Sequence, residues 1–273
     1  MLSARRSSGK RRPPRSLHAE YQHFIDQRIE EYKDQLPRED ILGIGDEAAQ
    51  ELTRTEQIQL TEMVLSEQVD AIIRRRLKLP SFRRWRENFL TLRAAQIQPG
   101  HWGLAAHDPV VMLAELVEEE DAVLVVGASD GACALFLAAR GAHVTVIDPD
   151  LAAICGLENR AVLESLGGHV ECEVAPLPNY VPGRHPFLAC VIEAAALVDL
   201  GAAERRLLVE RLKDATPTAG RHVVMPVTSP AGARHVSADA LRTLYADWTV
   251  DMAPAANQHN HIGFLATRNG ASV

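Results

Sequence analysis

Between Ala122 and Asp150 the chain reads AVLVVGASDGACALFLAARGAHVTVIDPD, and no other stretch limits the possible folds as much. Ala122–Val126 is a short apolar run of the kind needed by a strand buried on both faces. It runs into Gly127-Ala128-Ser129-Asp130-Gly131, which opens a helix over Ala132–Arg140. A second strand, His143–Ile147, comes next and ends at Asp148. A strand, a helix and a second strand in so few residues pair in parallel, with the helix crossing one face. The alternation then continues. Helices are expected over about Leu151–Leu166, Ala202–Lys213 and Ala238–Tyr245, and strands over Val170–Val174, Phe187–Ile192 and Arg221–Val227. Trp248–Met252 and Ile262–Thr267 are two strands without a helix between them, an antiparallel addition to a parallel sheet. The expected class is α/β, doubly wound, with helices on both faces.

Upstream of residue 120 nothing reads as a strand. Leu17, Tyr21, Phe24, Ile25, Ile29 and Tyr32 recur at helical spacing until Pro37. Leu42-Gly43-Ile44-Gly45 reads as a turn, with Asp46 as the cap of the next helical segment. A long helical pattern then runs through Leu60, Met63, Val64, Val69, Ile72 and Ile73, and another begins after Ser81. Three segments are expected: a basic disordered tail over 1–16, a helical arm over 17–104, and the α/β domain over 105–273.

Charge obeys the same division. Residues 1–100 hold 18 Lys+Arg against 15 Asp+Glu, a net of +3, whereas the remainder holds 11 against 21, a net of −10. Six basic residues and no acid fall in residues 1–15, a composition that cannot offset its ordering entropy. As a tether the tail would suit an anionic partner: an acidic protein, a membrane surface or nucleic acid. Residues 74–93 add eight basic residues and one acid, interleaved with Phe82, Trp85 and Phe89. That mixture invites a nucleic-acid reading. The competing reading turns the aromatics inward and lets arginine stems cover apolar surface.

No apolar run approaches the roughly 20 residues of a membrane span, and the basic N-terminus lacks the apolar core of a secretory signal. A cytoplasmic protein is expected, with room for peripheral attachment to a membrane or a complex. Cys133, Cys155, Cys172 and Cys190 form no CxxC pair and lie in apolar surroundings, so free core thiols are expected. Asn257-Gln258-His259-Asn260-His261 has metal-binding side chains but no third ligand at fixed spacing, and reads as a hairpin loop with no metal site.

The stretch from Ala122 to Asp150 resembles the first two strands of class I S-adenosylmethionine-dependent methyltransferases, whose fold is Rossmann-like. The terminal strand pair resembles that family's last hairpin, and the resemblance covers roughly residues 105–268. It implies S-adenosylmethionine as cofactor. Gly127, Ala128, Ser129 and Gly131 would face its methionine part, Asp148 and Pro149 would lie at the ribose, and Ala175 would lie at the base. Independently of any family, Gly127 permits a tight turn, and Asp148 can accept both hydroxyls of a ribose. Glu193, ending the fourth strand, stands where a base would take the acceptor's proton, with Asp199 as a second candidate.

Several positions depart from the family's pattern. Val125 stands where the first strand usually carries an acid, Ser129 replaces the central glycine, and Val174-Ala175-Pro176 offers no acid to the adenine. The fourth strand opens with the apolar Phe187-Leu188-Ala189-Cys190 where an acid is usual. Each missing charge-assisted hydrogen bond is worth about 1.5–3 kcal/mol. A non-catalytic, methyltransferase-like subunit, docking through its basic arm, is therefore the alternative to an enzyme. Gly127-x-Ser129-x-Gly131 also matches the nucleophile elbow of α/β-hydrolases, with Asp199 and His222 or His259 downstream, but that elbow comes after strands this chain lacks upstream. A nicotinamide-binding fingerprint fits poorly, since Ala132 takes its last position.

Overall fold

The computed structural model describes residues 16–54, 62–183, 186–225, 236–253 and 263–269. The basic tail and the His259–His261 segment lie outside them. Contacts divide the chain into two units, residues 1–92 and 93–273.

The first unit is helical throughout its described residues: α1 (Leu17–Gln35), α2 (Arg38–Arg54), α3 (Glu62–Arg76) and the greater part of α4 (Phe82–Gln96). Ser16 caps α1 by accepting the Ala19 N–H. Pro37 ends α1 and supplies the carbonyl that starts α2. The expected turn at Leu42–Gly45 is absent, because α2 runs straight through it. Ile44, Ala48 and Leu52 form a buried stripe that outweighs the roughly 1 kcal/mol each helical glycine costs. Asp46 is consequently an interior residue and caps nothing. Tyr21, Ile25, Ile29, Ile44, Ala48, Ile72, Ile73 and Trp85 make one core. Trp85 is buried, stacks on Phe89 with centroids 4.7 Å apart, and lies 5.3 Å from Tyr21. The aromatics of the basic segment therefore face inward. Several of its arginines are engaged: Arg75 pairs with Glu51, Arg76 with Glu47, and Arg74 donates to the Tyr21 hydroxyl.

The second unit begins with a 3₁₀ turn, Pro99–Trp102, and α5 (Pro109–Ala114). The alternating part consists of β1 (Ala122–Val126), α6 (Ala132–Ala139), β2 (His143–Asp148), α7 (Leu151–Leu163), β3 (Val170–Val174), β4 (Ala189–Glu193), α8 (Ala194–Val198), α9 (Ala202–Ala215), β5 (Arg221–Met225), α10 (Ala238–Leu244), β6 (Thr249–Ala253) and β7 (Gly263–Thr267). The seven strands lie in the order β3-β2-β1-β4-β5-β7-β6. All pairs are parallel except β5–β7 and β6–β7. Successive β1 residues point to opposite faces. Val123 and Val125 join the core containing α5, α6 and α7, while Leu124 and Val126 join the core containing α9 and α10.

Element ends differ modestly from expectation. Helix α7 stops at Leu163 because Ser165 turns left-handed at φ +56. Strand β4 starts at Ala189, two residues late. Of the four cysteines, Cys133 and Cys190 are buried and Cys172 is half-buried, but Cys155 is exposed on α7, contrary to the core expectation. Among the described residues no helix is long and apolar enough to cross a membrane, and no His, Cys, Asp and Glu side chains group as metal ligands.

Candidate functional site

Strand order reverses at β1: the chain moves outward to β2 and β3, then returns to β4 on the other side. The carboxyl ends of β1 and β4 thus flank the crevice where doubly wound sheets bind ligands. Gly127–Gly131 leaves β1 there, Asp148 and Pro149 leave β2, Ala175 leaves β3 and Glu193 ends β4. All eight sequence-selected residues fall at this one edge.

The loop turns through three left-handed residues, Gly127 at φ +96, Ser129 at φ +42 and Gly131 at φ +75. Only glycine adopts such angles freely, so Ser129 holds a conformation that costs an L-residue roughly 1–2 kcal/mol. The space freed at both glycines is taken by the protein itself. A Cβ at Gly127 would stand 2.9 Å from the Glu193 Cβ and 3.1 Å from that of Ala196, and a Cβ at Gly131 would stand 2.5 Å from a Leu157 methyl. The loop is braced from within. The Gly131 N–H donates to the Ala128 carbonyl at 2.7 Å, and the Ala132 N–H to the Asp130 carboxylate at 3.0 Å.

Asp148 is half-buried and held firmly. One carboxylate oxygen accepts the Ala128 N–H at 2.7 Å, and the other accepts the Asp150 N–H at 2.7 Å. Strand β2 is thereby tied to the loop after β1, and each oxygen keeps a further lone pair for an incoming donor. Pro149 is exposed. The Ala175 N–H donates to the Asp148 carbonyl at 3.1 Å, while its methyl group is buried in the core.

Glu193 is partly buried, and burial raises its carboxyl above the usual range, as does the neighbouring Asp130. The Cys133 thiol and the Ser129 hydroxyl, both in polar contact with it, pull the other way. The Cys133 thiol is itself pushed well up by burial and by Glu193. It therefore stays protonated and can donate. Asp199 is exposed beyond α8 and joins none of these groups.

His222 belongs to the interior. Its Nε2 lies 2.8 Å from the Thr216 hydroxyl and its Nδ1 lies 2.8 Å from the Tyr245 hydroxyl. The Thr216 proton goes to the Leu212 carbonyl, so Nε2 donates and Nδ1 accepts. Burial pushes this histidine down to about 3, aided by Lys213 and Arg268. With both nitrogens committed it offers nothing to Ser129, which removes the hydrolase arrangement that uses His222.

Sequence reasoning missed the brace behind the loop. Arg160 donates to the Asp130 carbonyl at 2.6 Å and lies over the Trp102 ring, 5.5 Å from its centroid. The Trp102 indole donates to the carbonyl of buried Gln96, whose amide donates to both the carbonyl and the carboxylate of Glu164. The only sequence signal was a Trp beside Gly103 in an otherwise polar stretch. A separate recess of about 350 Å³, lined by Val181, Pro182, Pro186, Arg211 and Asp214 among others, involves none of the loop residues.

No family model matches the chain, and no curated protein matches it in sequence. Solved structures do. The glycopeptide N-methyltransferase MtfA, complexed with S-adenosyl-L-methionine, superposes with a TM-score of 0.50 at 12% identity, over 60% of this chain and 94% of its own. The N-methyltransferase NodS from Bradyrhizobium japonicum WM9 gives 0.48 at 17% identity, over 60% and 93%. A TehB-like S-adenosylmethionine-dependent methyltransferase from Corynebacterium glutamicum gives 0.49 at 15% identity, over 69% and 97%. At such identities the likeness concerns architecture. This chain carries the Rossmann-like fold of class I S-adenosylmethionine-dependent methyltransferases.

Proposed function

We propose that the second unit binds S-adenosylmethionine and transfers its methyl group to an acceptor. The observation that carries this reading is the Asp148 carboxylate, fixed by two backbone N–H groups at the switch-point edge with lone pairs to spare. A ribose presents two adjacent hydroxyl donors, which suits a carboxylate so fixed. Pro149 and Ala175 would flank the nucleoside. The left-handed turn from Gly127 to Gly131 would carry the 5′ side, next to the methyl donor. The cofactor supplies an electrophilic sulfonium methyl; the protein's part is to align an acceptor with it and exclude water. The solved neighbours that name S-adenosylmethionine agree with this reading.

A second reading, a methyltransferase-like subunit without catalysis, is favoured by Val125 in β1 and by the apolar start of β4. In it the basic N-terminal segment would dock on an anionic partner. Isothermal calorimetry separates the two. Binding of S-adenosylmethionine or S-adenosylhomocysteine below millimolar, weakened about 10- to 100-fold by Asp148→Ala, is expected from the loss of one charged hydrogen-bonding group. No binding at millimolar ligand would leave the subunit reading standing.

A further inference from the structure

Glu193 was expected to take a proton from the methyl acceptor, but its surroundings fit another task. Parallel register pairs Val125 with Val191 and Val126 with Ile192, which brings Glu193 beside Gly127. Its Cβ occupies the space a side chain at Gly127 would need. Its carboxyl meets Ser129 of the loop and Cys133 in the first turn of α6. A base serving an acceptor would face outward from β4, whereas this carboxyl is turned back over the glycine loop.

It also lacks a cation. Among the described residues no Lys, Arg or His forms an ion pair with Glu193, and the nearest charge acting on it is another acid, Asp130. Burying a carboxyl without a counter-charge is unfavourable. The arrangement persists with two weak donors, Ser129 and Cys133, where an ammonium would serve better. The site's span fits as well. Strands lie about 4.8 Å apart, so the edge from β2 across β1 to β4 measures roughly 10 Å. A nucleoside held at Asp148 would extend its 5′ amino-acid substituent over Gly127 toward Glu193.

Resting on the cofactor reading above, we propose that Glu193 is the anionic partner of the cofactor's α-ammonium group, supplying from β4 the negative charge that Val125 withholds from β1. Glu193 then confers selectivity for the amino-acid part of the ligand, while Asp148 serves the ribose. Bound ammonium would also stabilise the ionised carboxyl that burial and Asp130 disfavour.

The test measures, by calorimetry on the full chain, the affinities of S-adenosylhomocysteine and its desamino analogue for the wild type, Glu193→Gln and Asp148→Ala. The expected result is that Glu193→Gln weakens S-adenosylhomocysteine about tenfold and leaves the desamino analogue unchanged, whereas Asp148→Ala weakens both alike. A Glu193→Gln variant that loses the two ligands equally, or neither, overturns the role of Glu193 while leaving the cofactor reading intact. A wild type that binds neither ligand overturns the cofactor reading itself. If the variant does not fold, pH replaces mutation. The wild-type preference for S-adenosylhomocysteine over the desamino analogue should shrink on acidification, as Glu193 takes up a proton beside Asp130 and Cys133. A preference that stays constant between pH 8 and the acid limit of folding overturns the proposal.

Discussion

The two units treat their polar groups in opposite ways. In the helical unit, charges stay at the surface and meet in pairs, such as Arg28 with Glu31 and Arg75 with Glu51, around a core of isoleucines and aromatics. The α/β unit buries polar groups at chosen points: His222 between Thr216 and Tyr245, Gln96 beneath Trp102, Glu193 against the loop. Exposed pairs are worth little and set few positions. Buried polar groups are costly when unmatched and so permit few geometries. The contrast teaches where this chain requires definite geometry: at the edge of its sheet.

Acid should expose the difference most. The folded state holds His222 down at about 3, whereas an unfolded histidine titrates near 6.5. The unfolded chain thus binds the extra proton between those values. The stability contributed by neutral His222 is complete above about pH 6.5 and is lost as pH falls toward 3, on the order of 4 kcal/mol in all. Urea unfolding at pH 7 and pH 4, with the wild type and His222→Leu, measures this. The variant should be weaker at neutral pH, since two hydroxyls lose a partner, yet have a much flatter acid slope. Equal slopes would show that His222 is not what makes the α/β unit acid-sensitive.

A smaller effect is expected at Gly131. Alanine there must hold φ +75 and displace the Leu157 methyl, costing about 2 kcal/mol. The same substitution at Gly43 or Gly45 of α2, where no atom lies within 4 Å, should stabilise by roughly 0.5–1 kcal/mol. Opposite signs at the two places would sharpen the comparison, whereas like signs would break it.

The smallest effect belongs to the surface pairs. A double-mutant cycle on Arg28 and Glu31, both well exposed on α1, should give about 0.3 kcal/mol and vanish in 1 M salt. A coupling above about 1 kcal/mol would make the helical unit's charges as exacting as the buried groups of its neighbour.

Much of this molecule was already written in its local pattern. The βαβ units emerge from periodicity, because a strand buried on both faces and a helix buried on one leave different apolar spacings. The site's edge was legible for the same reason, since the glycine loop and Asp148 sit where strands end, and strand ends are visible in sequence. Where local signals conflicted, packing decided. Gly43 and Gly45 argued for a turn, but Ile44, Ala48 and Leu52 had a core to enter, and α2 continued. What only the tertiary structure decided are contacts between residues distant in sequence. The insertion of β7 between β5 and β6, the pairing of His222 with Tyr245, the Arg160 brace and the turn of Glu193 onto Gly127 are all of this kind. Each depends on which strands become neighbours, and that is settled by the joint burial of two sheet faces, a property no single segment possesses.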